Sequence, residues 1–95
     1  MHRFQIKDLK DFVFSYDEKV QAAYIRIRQG RVHKTKEESP NVFVDTNTHG
    51  DLLGIEVIDP KHISIKVVAR IAKEFNVPEL RNINPRAIPD LFVHA

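Results

Sequence analysis

The chain predicts an α+β fold: a five-stranded antiparallel β-meander with one main C-terminal helix packed on the sheet, then a short second helical turn and an extended or turned tail. Three observations predict it. Apolar residues alternate with polar ones in short runs as far as residue 59, turn-forming residues separate those runs, and the apolar spacing changes to a helical one after Ser64.

The first strand is Phe12 to Tyr16, with Phe12, Phe14 and Tyr16 on one face, and Asp17 opens the turn after it. The second, about Ala22 to Arg28, sets Ala23, Ile25 and Ile27 on one face against Tyr24, Arg26 and Arg28 on the other. Gln29 and Gly30 suit a two-residue hairpin, because glycine accepts the positive φ of tight turns. That hairpin predicts a third strand over about Arg31 to Glu37, with Arg28 opposite Arg31, Arg26 opposite His33, Tyr24 opposite Thr35 and Ile27 opposite Val32. Glu38 to Asn41 reads as a turn, Val42 to Asp45 as a fourth strand, Thr46 to Gly50 as a loop and Leu52 to Ile58 as a fifth strand closed by Asp59 and Pro60.

The last two strands are apolar on both faces, Val42 and Val44 against Phe43, then Leu53, Ile55 and Val57 against Leu52 and Ile58. A half-solvated sheet does not need this, and one helix covers one face, so the second face is expected to meet a partner, most simply another copy. The helix is predicted over residues 64–75: Ser64 caps it, and Ile65, Val68, Ala69, Ala72 and Phe75 form its apolar stripe. Asn76 suits a left-handed residue at its end. Pro78 stops the helix or starts a short second one from Val77 to about Ile83, and Pro85 and Pro89 mark the tail.

With 95 residues the chain is expected to be a single domain over 1–95. Apolar residues make up 42% and charged residues 29%, an ordinary globular balance. The absence of cysteine excludes disulfides and thiolate chemistry and fits a cytoplasmic setting. Met1 to Asp11 lacks the apolar stretch of a signal peptide, and no run reaches the roughly 18 apolar residues of a membrane span. The net charge is only +2, but it is segregated: from Lys19 to Lys36 every charge is positive, from Glu37 to Pro60 every one negative. Such blocks pair within the sheet, pair between protomers, or present two separate surfaces.

The strand residues carry a resemblance. Phe14-Ser-Tyr16-Asp17, then Ala22-Ala-Tyr24-Ile-Arg26-Ile, then Asn41-Val-Phe-Val-Asp45, Gly50, and Leu53-Gly54-Ile-Glu56-Val-Ile58 resemble, in order and spacing, domain-of-unknown-function family 2283. The motif residues are Tyr16, Asp17, Tyr24, Arg26, Asp45, Gly50, Gly54 and Glu56. The resemblance implies a small sheet-rich prokaryotic domain without an established activity, sometimes encoded beside another small protein in what looks like a toxin and antitoxin arrangement. The chain departs from the family at Lys19 to Gln21, where acids are usual, at Asn41, where glycine is usual, and at Thr46 to His49, in place of an aspartate-rich loop. Residues after Pro60 lie outside it.

Several residues are candidates for chemistry. Arg26, Arg28, Arg31 and His33 would form a basic strand face for phosphate or an acidic protein surface, against the plainer reading of a solvated face. The carboxylates Asp17 and Glu56 beside Tyr24 and Arg26 can serve acid-base chemistry, but such residues more often make cross-strand pairs and turn bonds, and no serine has a nucleophile context. His49 with Asp45 and Asp51 is the nearest approach to a metal cluster; the histidines lack zinc-site spacing, and neither a metal nor a cofactor is expected.

The function expected is a non-enzymatic protein-interaction module. It would be a homo-oligomer, with a dimer favoured, that docks on a protein partner through the basic hairpin or the C-terminal segment and in its most concrete form neutralises a toxin-like protein. One alternative is a DNA-binding regulator with a degenerate helix-turn-helix over 66–83, using Arg70 and Arg81, although its second helix would be short and a third is missing. The other is a small enzyme or ligand-binding domain.

Overall fold

The computed structural model describes the backbone of residues 2–5 and the whole of residues 12–92. Met1, residues 6–11 and the last three residues of the expected tail lie outside the described residues. Six strands form one antiparallel sheet: β1 (His2–Gln5), β2 (Val13–Asp17), β3 (Ala22–Arg26), β4 (Lys34–Ser39), β5 (Val42–Thr46) and β6 (Leu52–Ile58). One helix follows, α1 (Ile65–Glu74), flanked by 3-10 turns at Pro60–His62, Pro78–Asn82 and Pro85–Phe92. The α+β class, the antiparallel sheet and the single main helix are as the sequence predicts, and β1 adds a strand before the expected five.

The strand order is β1-β2-β3-β6-β5-β4. The Gln29-Gly30 hairpin and its register therefore do not form. Arg26 lies opposite Gly54 and Tyr24 opposite Glu56, both on β6, while Thr35 on β4 lies opposite Asp45 on β5. The reason is burial. A central strand is covered more than an edge strand, so the apolar Leu52–Ile58 takes the centre and the charged Lys34–Ser39 takes the edge, where exposed charge discourages further pairing. The connection from β3 runs past the ends of β6 and β5: the Ile27 and Arg28 amides both donate to the Leu53 carbonyl (2.8 and 3.3 Å), and the His33 amide donates to Thr46 (2.8 Å).

Strand parity divides the sheet into two faces. On one, Phe14, Ile25, Ile55 and Val44 form a row across β2, β3, β6 and β5, with Ala23, Val57 and Val42 in the next. All are buried, and α1 covers them with Val68, Ile71 and Ala72. The Ser64 hydroxyl caps α1 by accepting from the Lys66 amide (3.3 Å). At the other end Asn76 takes φ 56°, the Val77 amide donates to the Ala72 carbonyl (2.9 Å) and the Asn76 amide to Lys73 (3.4 Å). These are the two bonds of a Schellman motif, and they turn buried Val77 back into the core.

Residues 85–92 take the turned form, and they are structural. Pro85, Ile88, Pro89 and Phe92 are buried, and the Phe92 ring stacks on Tyr16 at a centroid distance of 6.4 Å. Proline suits this segment because its fixed φ is near that of a 3-10 turn. Asn84 opens it, its carbonyl accepting from Ala87 (3.0 Å) and its side chain from the Arg86 amide (3.1 Å). No helix among the described residues is long and apolar enough to cross a membrane.

Candidate functional site

The other face of the sheet carries most of the motif residues. Its rows across β2, β3, β6, β5 and β4 read Val13, Arg26, Gly54, Asp45, Thr35, and then Ser15, Tyr24, Glu56, Phe43, Glu37. Tyr24 does not stand upright in its row. It leans diagonally over Gly54, and its hydroxyl donates to Asp45 Oδ2 (2.8 Å). Asp45 Oδ1 in turn accepts from the Thr35 hydroxyl (2.6 Å). One polar chain thereby ties β3, β5 and β4 across the intervening β6. Gly54 is required because a Cβ there would lie inside the Tyr24 ring and hydroxyl. An aromatic side chain covering a strand glycine restores the packing that the glycine lacks.

The lean of Tyr24 leaves its own position open. Toward β2 and the start of β3 stand the small residues Ser15 and Ala22, so a depression of about 380 Å³ forms there, walled by Val13 and Val20 and flanked by Arg26, Glu56 and Asp17. No described element covers it. Val20, at the β2–β3 turn, is 62% exposed, while Val13, Ala22, Phe43 and Ile58 are half-buried. Arg26 makes no ion pair among the described residues.

The Tyr24 phenol is held above its ordinary value, by burial first, then by its hydrogen bond to Asp45 and the negative charges of Asp45 and Glu56, with Arg26 opposing. It is therefore a protonated donor at neutral pH, not a base. Because the folded state holds this proton more tightly than the unfolded chain, the associated stability is complete below the ordinary phenol value of about 10 and is lost as pH rises through the raised folded value. Denaturation from about pH 8 to about pH 11 should show an alkaline decline in the parent that is flattened in Tyr24→Phe, at a loss of about 1 kcal/mol near neutrality for the missing bond. An unchanged alkaline limb would mean that the phenol does not contribute.

The remaining candidates separate. Arg26 faces the depression, whereas Arg28, Arg31 and His33 lie on the connection between β3 and β4, so no basic strand face forms. Arg28 sits 3.8 Å from Asp51, and Lys36 lies 3.8 Å from both Glu38 and Glu74. The opposed charge blocks thus meet in part within the fold. Tyr16 packs against the core. Asp17 holds the β2–β3 turn by accepting from the Lys19 amide (3.0 Å), and Gly50 supplies φ 83° in the β5–β6 loop.

Asn41, at the position where the resemblance leads one to expect glycine, adopts φ 69°, a left-handed backbone that asparagine also accepts. In the β5–β6 loop Asn47 Oδ1 accepts from the His49 and Asp51 amides (2.9 and 3.0 Å), so this loop is closed by its own side chains. No three His, Asp or Glu side chains among the described residues are placed to hold a metal ion.

Arg70 donates to the Glu38 carbonyl (2.9 Å) and ties α1 to the sheet edge. Arg81 lies on the 3-10 turn Pro78–Asn82, with no second α-helix to carry it. The sequence reading missed the Tyr24–Gly54–Asp45 arrangement. Its signal was present as an aromatic residue and a glycine in two strands, but their diagonal relation needs the β3–β6 pairing.

No curated protein and no solved structure matches the chain. Residues 14–60, from β2 to the turn at Pro60, match the family model described as protein of unknown function, DUF2283, and this sheet segment holds all eight motif residues that resemble that family.

Proposed function

We propose that the protein is a non-enzymatic interaction module that dimerises through the open face of its sheet. The observation that carries this reading is the depression over Ser15 and Ala22 that no described residue covers, with Arg26 at one side and Glu56 and Asp17 at the others. A face bearing both signs of charge around apolar ground is self-complementary under a two-fold axis, because Arg26 of one copy meets a carboxylate of the next. Burial of the half-exposed Val13, Phe43, Ile58 and Val20 supplies the non-directional part of the attraction, at about 25 cal/mol per Å².

The polar groups support binding over catalysis. Tyr24 is committed to Asp45 and Asp45 to Thr35, and a phenol held in its protonated form does not relay protons at neutral pH. Fold and stability aside, the paired charges should govern association. Arg26→Glu is expected to weaken the dimer by about tenfold or more, and the double reversal Arg26→Glu with Glu56→Arg to recover most of it. Sedimentation across a concentration series checks both, and a dimer indifferent to either change would place the contact elsewhere.

A further inference from the structure

A second surface lies on the other side of the molecule. The Schellman turn at Asn76 sends the chain back along α1, but the 3-10 turn that follows spans only Pro78–Asn82 and leaves part of α1 open. The result is a trough of about 440 Å³ between them. Its floor is apolar: Val68, Leu80 and Ile83 are 2, 0 and 8% exposed. Lys66, Arg81, Asn82 and Asn84 provide its polar lining. Through Ile83 and the two asparagines the trough continues into a smaller hollow of about 140 Å³ that ends at Leu91.

Two features show what this surface is fitted to take. Ile65, lining the larger hollow, and Leu91, lining the smaller, are 53% and 40% exposed, although both are large apolar side chains. No carboxylate among the described residues lines either hollow, and Lys66 and Arg81 make no ion pair among those residues. Exposed apolar ground beside two cations that no described carboxylate neutralises is complementary to a segment that carries apolar side chains and carboxylates together. The cations also match phosphate, but the described lining offers single-stranded nucleic acid no stacking platform: the one aromatic ring among its described residues, Phe14, is 2% exposed.

We propose that the trough between α1 and residues 80–91 is a docking groove for an acidic, apolar peptide segment of a partner protein. Apolar side chains of that segment enter over Val68 and Ile83, and its carboxylates pair with Lys66 and Arg81 at the rim. The groove is separate from the open sheet face, so it remains available in the dimer and does not depend on that association.

Selection of a displayed library of short random peptides on the full chain tests this. Enriched peptides should combine acidic with large apolar residues, bind the parent in fluorescence anisotropy with an affinity that falls as salt rises, and lose about tenfold or more on the Lys66→Glu, Arg81→Glu double variant. Ile65→Asp should give a comparable loss, and thermal unfolding should show that these exposed changes leave the fold intact.

The proposal is overturned if selection enriches nothing, if the peptides lack acidic character, or if their binding is indifferent to the rim variants. It is also overturned if a single-stranded oligonucleotide binds the parent more tightly than every selected peptide and shares their sensitivity to Lys66→Glu and Arg81→Glu, which would assign the surface to nucleic acid.

Discussion

Gly54→Ala is expected to destabilise the protein by about 1–3 kcal/mol, a large effect for one added methyl group on a sheet surface. The new Cβ would occupy space taken by the Tyr24 ring and hydroxyl, so either the ring swings off Gly54 and abandons Asp45 or β6 is displaced from β3. The same account predicts that the penalty disappears when the ring is removed. In a Tyr24→Ala background, Gly54→Ala should be nearly neutral or slightly stabilising, since glycine within a strand is itself unfavourable. Urea denaturation of the four proteins closes a double-mutant cycle. Strict additivity would show that Tyr24 and Gly54 act independently.

Ile55→Ala acts on the opposite face and should cost more. Ile55 is fully buried at the centre of the sheet, opposite Ile25 on β3 and Val44 on β5, and truncation of such a residue costs about 2–5 kcal/mol. For a domain of about 100 residues that lowers the melting temperature by about 10–30 °C and removes much of a typical stability of about 5–15 kcal/mol. The adjacent Glu56 provides the contrast. Its side chain lies on the open face, and Glu56→Gln should change stability by no more than about 0.5 kcal/mol. Calorimetry of the pair reads the strand's parity directly: equal effects at 55 and 56 would contradict the register.

Most of the fold was legible in the sequence because its signals are local. The alternation in Ala22–Arg26, the serine cap, and Asn76 at the end of α1 each specify their own conformation within a few residues. What was not legible was long-range order. The dipeptide Gln29-Gly30 is compatible with a hairpin, and local reasoning has no term for the competition by which Leu52–Ile58 displaces Lys34–Ser39 from the side of β3.

The apolar character of β6 on both faces was likewise an accurate observation with a partly different cause. The register shift near Thr46 makes Leu53 the extra residue of a bulge. Leu52 then joins the core, while Leu53 packs beneath Gly30. Part of what pointed to a partner is thus satisfied within the chain. The remainder, Phe43 and Ile58 beside Val13 and Ala22, is what the open face retains.

The motif residues acquire a division of labour from this geometry. Gly54, Tyr24 and Asp45 brace the sheet, Asp17 and Gly50 shape turns, and Arg26 and Glu56, without an ion pair among the described residues, stand beside the depression that the brace creates. The side of the molecule that carries α1 and the 3-10 turns lies beyond residues 14–60 for the most part, and the trough beside Lys66 and Arg81 is lined by residues outside that matched segment.

The most direct test of the central proposal is the molar mass of the parent protein in solution, measured by light scattering across micromolar concentrations. A mass of twice the 11.0 kDa chain, falling toward one chain on dilution and on Arg26→Glu, is the predicted result. A mass of one chain throughout that range would contradict it.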